Sequence, residues 1–211
     1  MYGGIIERNT GVDGGGVENE AVFALQGGTI TYNYAALQGG GITNRGQLIL
    51  GDGASVVSNA SGTNEGEAPS GGIYWIAEES TSVSVSGSVK VIDNTTNGDS
   101  ANLVICGKGS VSVSDVSEHT QIGLTLMNGN KNLASGTVLL FSDAEAYEAE
   151  KLFSSFTSDR ENFELKIKNG EMIFAEKNFA LMIGSGIAFL AVILVVAIAG
   201  VIFAKKRKRI K

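Results

Sequence analysis

Apolar positions in the first half of the chain fall in short runs that mix aliphatic with small or polar residues, as in Gly46-Gln47-Leu48-Ile49-Leu50 and Ser82-Val83-Ser84-Val85-Ser86. Gly, Asn or Asp stand at the breaks, which predicts strands of four or five residues joined by tight turns. Two phrases recur with the strands. Gly14-Gly15-Gly16-Val17, Gly39-Gly40-Gly41-Ile42 and Ser70-Gly71-Gly72-Ile73 each close a glycine run on a branched aliphatic. Ile6, Ile30, Val56 and Val91 each stand three residues before an asparagine: Asn9, Asn33, Asn59 and Asn94. Those asparagines are 24, 26 and 35 residues apart, so one unit of similar size is being repeated. The pattern predicts an all-β, right-handed parallel β-helix, a solenoid of three strands per rung of about 24 residues. A single rung cannot bury its apolar face, whereas a stack can. The glycines are expected at corners that need positive φ or close backbone approach, and the four asparagines as a ladder of stacked turn amides.

The third unit is stretched by Thr63 to Pro69, the glycine pair is missing at Ala101-Asn102-Leu103, and from Asn102 the register is expected to loosen. Residues 1–128 are therefore assigned to the solenoid. Residues 129–176 are assigned to a small α/β cap, because an open solenoid end exposes unpaired strand edges. Within and beside it, Ile122 to Leu126 and Thr137 to Phe141 read as strands. Ser142-Asp143-Ala144-Glu145 has capping-box spacing for a helix whose apolar face carries Ala149, Leu152, Phe153 and Phe156. Phe163 to Ile167 and Met172 to Ala175 flank Asn169-Gly170, the favoured two-residue hairpin turn.

Periodicity then gives way to one uninterrupted apolar stretch, Phe179 to Ala204, without a charge, an amide or a proline. At about 1.5 Å per residue it exceeds the roughly 30 Å of a bilayer core, so residues 177–204 are read as one transmembrane α-helix. The tail, 205–211, carries Lys205, Lys206, Arg207, Lys208 and Arg209 directly after the span, a topology anchor that places this end in the cytoplasm and the rest outside. All 22 acidic residues precede Phe179, against ten of the 16 basic ones, a balance of −12 that repels nucleic acid. Met1-Tyr2-Gly3-Gly4 lacks the features of a secretory signal and aligns with the middle of a rung, so the chain reads as the C-terminal piece of a longer exported precursor. Cys106 stands alone in an apolar run, which rules out an intrachain disulfide framework.

Candidate chemistry is sparse. Asp52, Asp93, Asp99, Asp115 and Arg45 lie beside Gly, Ser or Asn in turn-like contexts, and no two recur at the rung period, as adjacent catalytic acids would. His119 is the only histidine, so neither a histidine metal cluster nor a nucleophilic triad can be assembled. No catalytic, cofactor-binding or metal residue is assigned, and no cofactor is expected. Tyr32, Tyr34, Tyr74 and Trp75 could offer faces to sugar rings, with Tyr74 and Trp75 as the assigned ligand platform; stacking within the solenoid wall is the plainer alternative. Asn59-Ala60-Ser61 and Asn94-Thr95-Thr96 are formal glycosylation acceptors.

The Gly-Gly-Gly-Ile/Val units, the run Val85 to Thr95 and the segment Gln121 to Leu126 resemble bacterial, mainly Firmicute, surface proteins built from glycine-rich right-handed parallel β-helix repeats. That resemblance covers roughly residues 3 to 176 and implies an adhesin-like, extracellular, membrane-attached protein without known chemistry. The expected partners are the membrane, crossed once, and a host or matrix glycan or protein. Two alternatives stand beside this reading: the end of a carbohydrate-active β-helix enzyme whose catalytic rungs lie upstream, and a purely structural surface-layer element.

Overall fold

The computed structural model describes residues 1–62, 70–128, 132–133, 136–141, 154–168 and 171–177. The described architecture is all-β and mostly parallel, the arrangement of a β-solenoid. It lies within one compact unit, Met1–Glu176.

Each of the first four rungs contains four principal strands, one more than expected. The first holds β1 (Ile5–Glu7), β2 (Thr10–Asp13), β3 (Val17–Asn19) and β4 (Val22–Leu25). The second holds β5 (Gly28–Thr31), β6 (Tyr34–Gln38), β7 (Ile42–Asn44) and β8 (Gln47–Leu50). The third holds β9 (Ala54–Val57), β10 (Ala60–Ser61), β11 (Ile73–Ala77) and β12 (Ser82–Gly87). The fourth holds β13 (Lys90–Ile92), β14 (Thr95–Thr96), β16 (Leu103–Gly107) and β17 (Val111–Val116), with a short return strand β15 (Asp99–Ser100). The extra strand arises because the asparagine and the glycine run mark two separate corners, and the chain between them is long enough to pair with its neighbours.

Register follows the repeat. Ile6, Ile30, Val56, Val91 and Ile122 stack in one column, and Val17, Ile42, Ile73, Leu103 and Leu124 in a second. Leu25, Leu50, Val85 and Val113 form a third on the opposite wall. Below the first rung these side chains are essentially sealed from water, each burial contributing about 1.5–3 kcal/mol. Glycine is required where the corners meet. A Cβ at Gly72 would come within 2.9 Å of the Asn94 amide, and one at Gly40 would collide with the backbone carbonyls of Ala60 and Gly71.

Past Asn102 parallel stacking continues through β18 (Gln121–Asn128) and β20 (Gly136–Phe141), while the corner sheet ends at β14 and β15 and a register shift enters where Gly87 pairs with Val116. Strand β18 runs straight through the place where earlier rungs turn outward, pairing in parallel with both β13 and β16. Beyond it, β19 (Asn132–Leu133) lies antiparallel to β18, and β20, in the segment assigned to the cap, still stacks in parallel on β17. β21 (Phe156–Ser158) adds to β18, so Phe156 opens a strand and does not sit on a helical face. The hairpin is present: β22 (Phe163–Lys168) and β23 (Glu171–Glu176) pair antiparallel, with Phe163 and Phe174 stacked at 4.6 Å. Its turn Asn169-Gly170, the insertion at 63–69, the helix expected from Ser142, the apolar span from Phe179 and the basic tail lie outside the described residues. Among the described residues no helix is long and apolar enough to cross a membrane.

Candidate functional site

The chemistry of this chain concentrates along its asparagine corner. Asn9, Asn33, Asn59 and Asn94 form a continuous column in which each backbone N–H and each side-chain Nδ2 donates to Oδ1 of the asparagine one rung on, at 3.0 Å throughout. The Nδ2 groups also reach carbonyls on their own and the preceding rung: Asn59 donates to Val57 and Ile30, and Asn94 to Ile92 and Val56. Asn33, Asn59 and Asn94 are buried, so each amide must be satisfied by protein, and each is. Burial also closes Asn59 and Asn94 to glycosylation.

Two members of this system were not expected from the spacing. Asn102, only eight residues after Asn94, takes the next place, its Oδ1 accepting from Asn94 N at 2.9 Å and from Nδ2 at 3.1 Å. It can do so because it stands in the glycine column, opposite Gly72, where the lost corner leaves room for a side chain. Asp159 then ends the column. Its Oδ2 accepts from Asn102 N at 2.8 Å and its Oδ1 from Asn102 Nδ2 at 2.6 Å. All amides point their donors the same way, so the carboxylate sits at the donor end of an aligned dipole chain, as an anion does at a helix N-terminus. Burial nevertheless pushes the Asp159 carboxyl above its usual value, partly opposed by the Asn102 donors and the Arg160 guanidinium. A second, shorter ladder joins Asn19 Nδ2 to Asn44 Oδ1 at 2.7 Å and stops where Trp75 occupies the column.

The residue before each ladder asparagine carries the backbone cost. Arg8, Tyr32, Ser58 and Asp93 have φ of 55°, 52°, 56° and 57°, so the left-handed position at each corner belongs to the residue before the asparagine. This geometry turns Tyr32 outward on one side of Asn33. Tyr34, opening β6 and registered between Thr10 and Ala60, faces outward on the other. Tyr32 and Tyr34 are 61% and 45% exposed.

Tyr74 and Trp75 behave differently. They are 1% and 2% exposed, with the Trp75 indole N–H donating to Thr81 Oγ1 at 2.9 Å inside the wall. Trp75 belongs to the main core, and Tyr74 packs with Val104, Cys106 and Met127 in a second apolar cluster. The platform assigned to this pair is thus corrected: alternation along β11 points one ring to each side of the sheet, and both sides are covered.

The remaining candidates are dispersed. Arg45 pairs with Glu18 at 2.5 Å and with Asp13 at 3.1 Å across neighbouring rungs. Asp52 accepts from Ser88 N–H at 2.8 Å, a turn contact. Asp93, Asp99 and Asp115 are exposed and meet neither each other nor Arg45 in any described ion pair, and His119 stands exposed beside Glu118. Among the described residues no cluster of three or more His, Cys, Asp or Glu side chains could hold a metal ion. No protein-family model, curated protein or solved structure matches the chain.

Proposed function

We propose that the chain is a non-enzymatic, adhesin-like surface protein of the bacterial glycine-rich, right-handed parallel β-helix kind. In this reading the stack is displayed outside the cell, residues 177–204 cross the membrane once, and Lys205, Lys206, Arg207, Lys208 and Arg209 hold the tail in the cytoplasm. The wall holds upstream modules away from the membrane or engages a host or matrix glycan or protein. The observation that supports it best is the exposed pair Tyr32 and Tyr34, two aromatic faces flanking one rigid corner. Aromatic faces held by a buried backbone lose little entropy when a sugar ring stacks on them.

The test is a glycan and matrix-protein array probed with the full chain in nanodiscs. Tyr32→Ala with Tyr34→Ala is expected to weaken the bound signal at least tenfold while leaving the melting temperature within about 2 °C, since exposed substitutions change stability little. Signal unaffected by that double substitution would remove the tyrosine pair from the reading. Protease treatment of intact cells is expected to release residues before Phe179; their survival would contradict the proposed topology.

A further inference from the structure

Tyr34 does not stand straight off the sheet. It is registered beside Ala60, yet its hydroxyl lies 2.8 Å from the place a Cβ on Gly62 would occupy, one rung over and two residues further along. The ring therefore leans along the wall above the third rung, and the small side chain of Ala60 lets it do so. One broad face is left toward solvent, in keeping with 45% exposure. The seat is held by the backbone: Tyr34 N–H donates to the Asn9 carbonyl, Ala60 N–H to that of Asn33 and Gly62 N–H to that of Ala35, each at 2.9 Å.

The surroundings of that face carry no free charge. Strands β2, β6, β10 and β14 set Thr10, Tyr34, Ala60 and Thr95 in one register column. The one charged residue of those four strands, Asp13 at the end of β2, is held by Arg45 at 3.1 Å. At the corner itself Tyr32 stands between Arg8, which lies beside Glu7, and Ser58, with Asp93 one rung beyond, so the charges near it are of both signs.

A ligand suited to this surface has a flat apolar face, hydroxyls at its rim and no charge. An acidic glycan would meet the acidic balance of the residues before Phe179, and a basic peptide would find no free carboxylate on the four strands. A pyranose whose hydroxyls are all equatorial turns C–H bonds to its faces and hydroxyls to its edge, which is the shape that stacks on a phenol. We infer that Tyr32 and Tyr34 bind a neutral, β-linked glucan chain, with one sugar ring stacked on the open face of Tyr34 and Thr10, one rung away, offering its hydroxyl to the rim. This rests on the tyrosine reading above and narrows its ligand to one class. Ala60 and Gly62 are positioning residues that keep the Tyr34 ring down along the wall.

The experiment titrates the full chain in nanodiscs with cellohexaose, with the α-linked maltohexaose and with a heparin hexasaccharide, by calorimetry and by saturation transfer to the sugar C–H protons. Cellohexaose is expected to bind about tenfold more tightly than the other two, with Tyr34→Ala weakening it about tenfold and Tyr34→Phe leaving it within about threefold. Ala60→Gln keeps both tyrosines but lifts the ring, and is expected to weaken cellohexaose about fivefold at an unchanged melting temperature. Cellohexaose binding unaffected by a folded Ala60→Gln would overturn the seated ring; where that variant does not fold, equal losses for Tyr34→Phe and Tyr34→Ala would overturn the stacking. Tyrosine-dependent binding to heparin, to maltohexaose or to a matrix protein in place of cellohexaose would overturn the ligand class and leave the tyrosine reading standing. Absence of any tyrosine-dependent signal would overturn both.

Discussion

A buried asparagine amide has two donors and an acceptor to satisfy, and in this wall the neighbouring rung satisfies them. Asn59 has hydrogen-bond partners at Asn33, Asn94, Ile30 and Val57, so Asn59→Ala strands donors and acceptors on both sides of a sealed corner. At roughly 1–3 kcal/mol for each buried group left without a partner, a loss of about 3 kcal/mol is expected. Asn9→Ala at the exposed end should cost under about 1 kcal/mol. Urea unfolding of the two variants checks the contrast, and equal losses would mean that the column carries no special weight.

Asp159 differs because it ends the column with a charge. Its folded pKa is raised, so the folded state holds a proton more firmly than the unfolded chain does. The stability this contributes is fully present below the ordinary carboxylate value and is lost as pH rises through the folded value. Asp159→Asn should therefore flatten the stability profile over that window and leave the protein as stable or more so at pH 7, because an asparagine can accept from Asn102 as Asn94 accepts from Asn59. Melting temperatures of both proteins from pH 3 to 8 decide this. A profile for Asp159→Asn parallel to that of the parent would contradict the assignment.

At the scale of the element, the corner is built by two adjacent residues with divided tasks. One takes the left-handed backbone; the next lies outside that region and places its amide in the column. L-residues in that conformation cost about 1–2 kcal/mol each, and glycine avoids the cost while losing some unfolded-state entropy. Ser58→Gly should therefore stabilise the protein by about 0.5–1 kcal/mol, visible as a raised melting temperature. Gly40→Ala should prevent the native stack from forming, because backbone carbonyls on the next rung occupy the space of its Cβ.

Much of this was legible in the sequence. The stacked phrase, the asparagine ladder, the strands at Ile122 and Thr137 and the antiparallel pairing of β22 with β23 follow from spacing and turn chemistry. The fourth strand per rung did not, because two-residue strands such as β10 and β14 are too short to show alternation. Asn102 was hidden by its eight-residue step, unlike any rung length, and Asp159 by the 57 residues that separate it from Asn102. Tyr74 and Trp75 were misjudged for a related reason. Alternation places neighbouring residues on opposite faces, but whether each face is covered depends on packing that no local pattern reports.

For the whole molecule, the asparagine column and the apolar columns make each rung the completion of its neighbour, so stability should rise from the open first rung toward the interior. The column ends differently at its two extremities: a free acceptor at Asn9 and a buried carboxylate at Asp159, which ties β21 and the chain leading to β22 to the stack. The most direct measurement is side-chain amide hydrogen exchange by NMR at Asn9, Asn33, Asn59, Asn94 and Asn102. A parallel stack joined through these amides requires the Nδ2 protons of the last four to exchange at least about a hundredfold more slowly than those of Asn9, the interior groups opening only with larger unfolding events. Uniformly fast exchange at all five would contradict it.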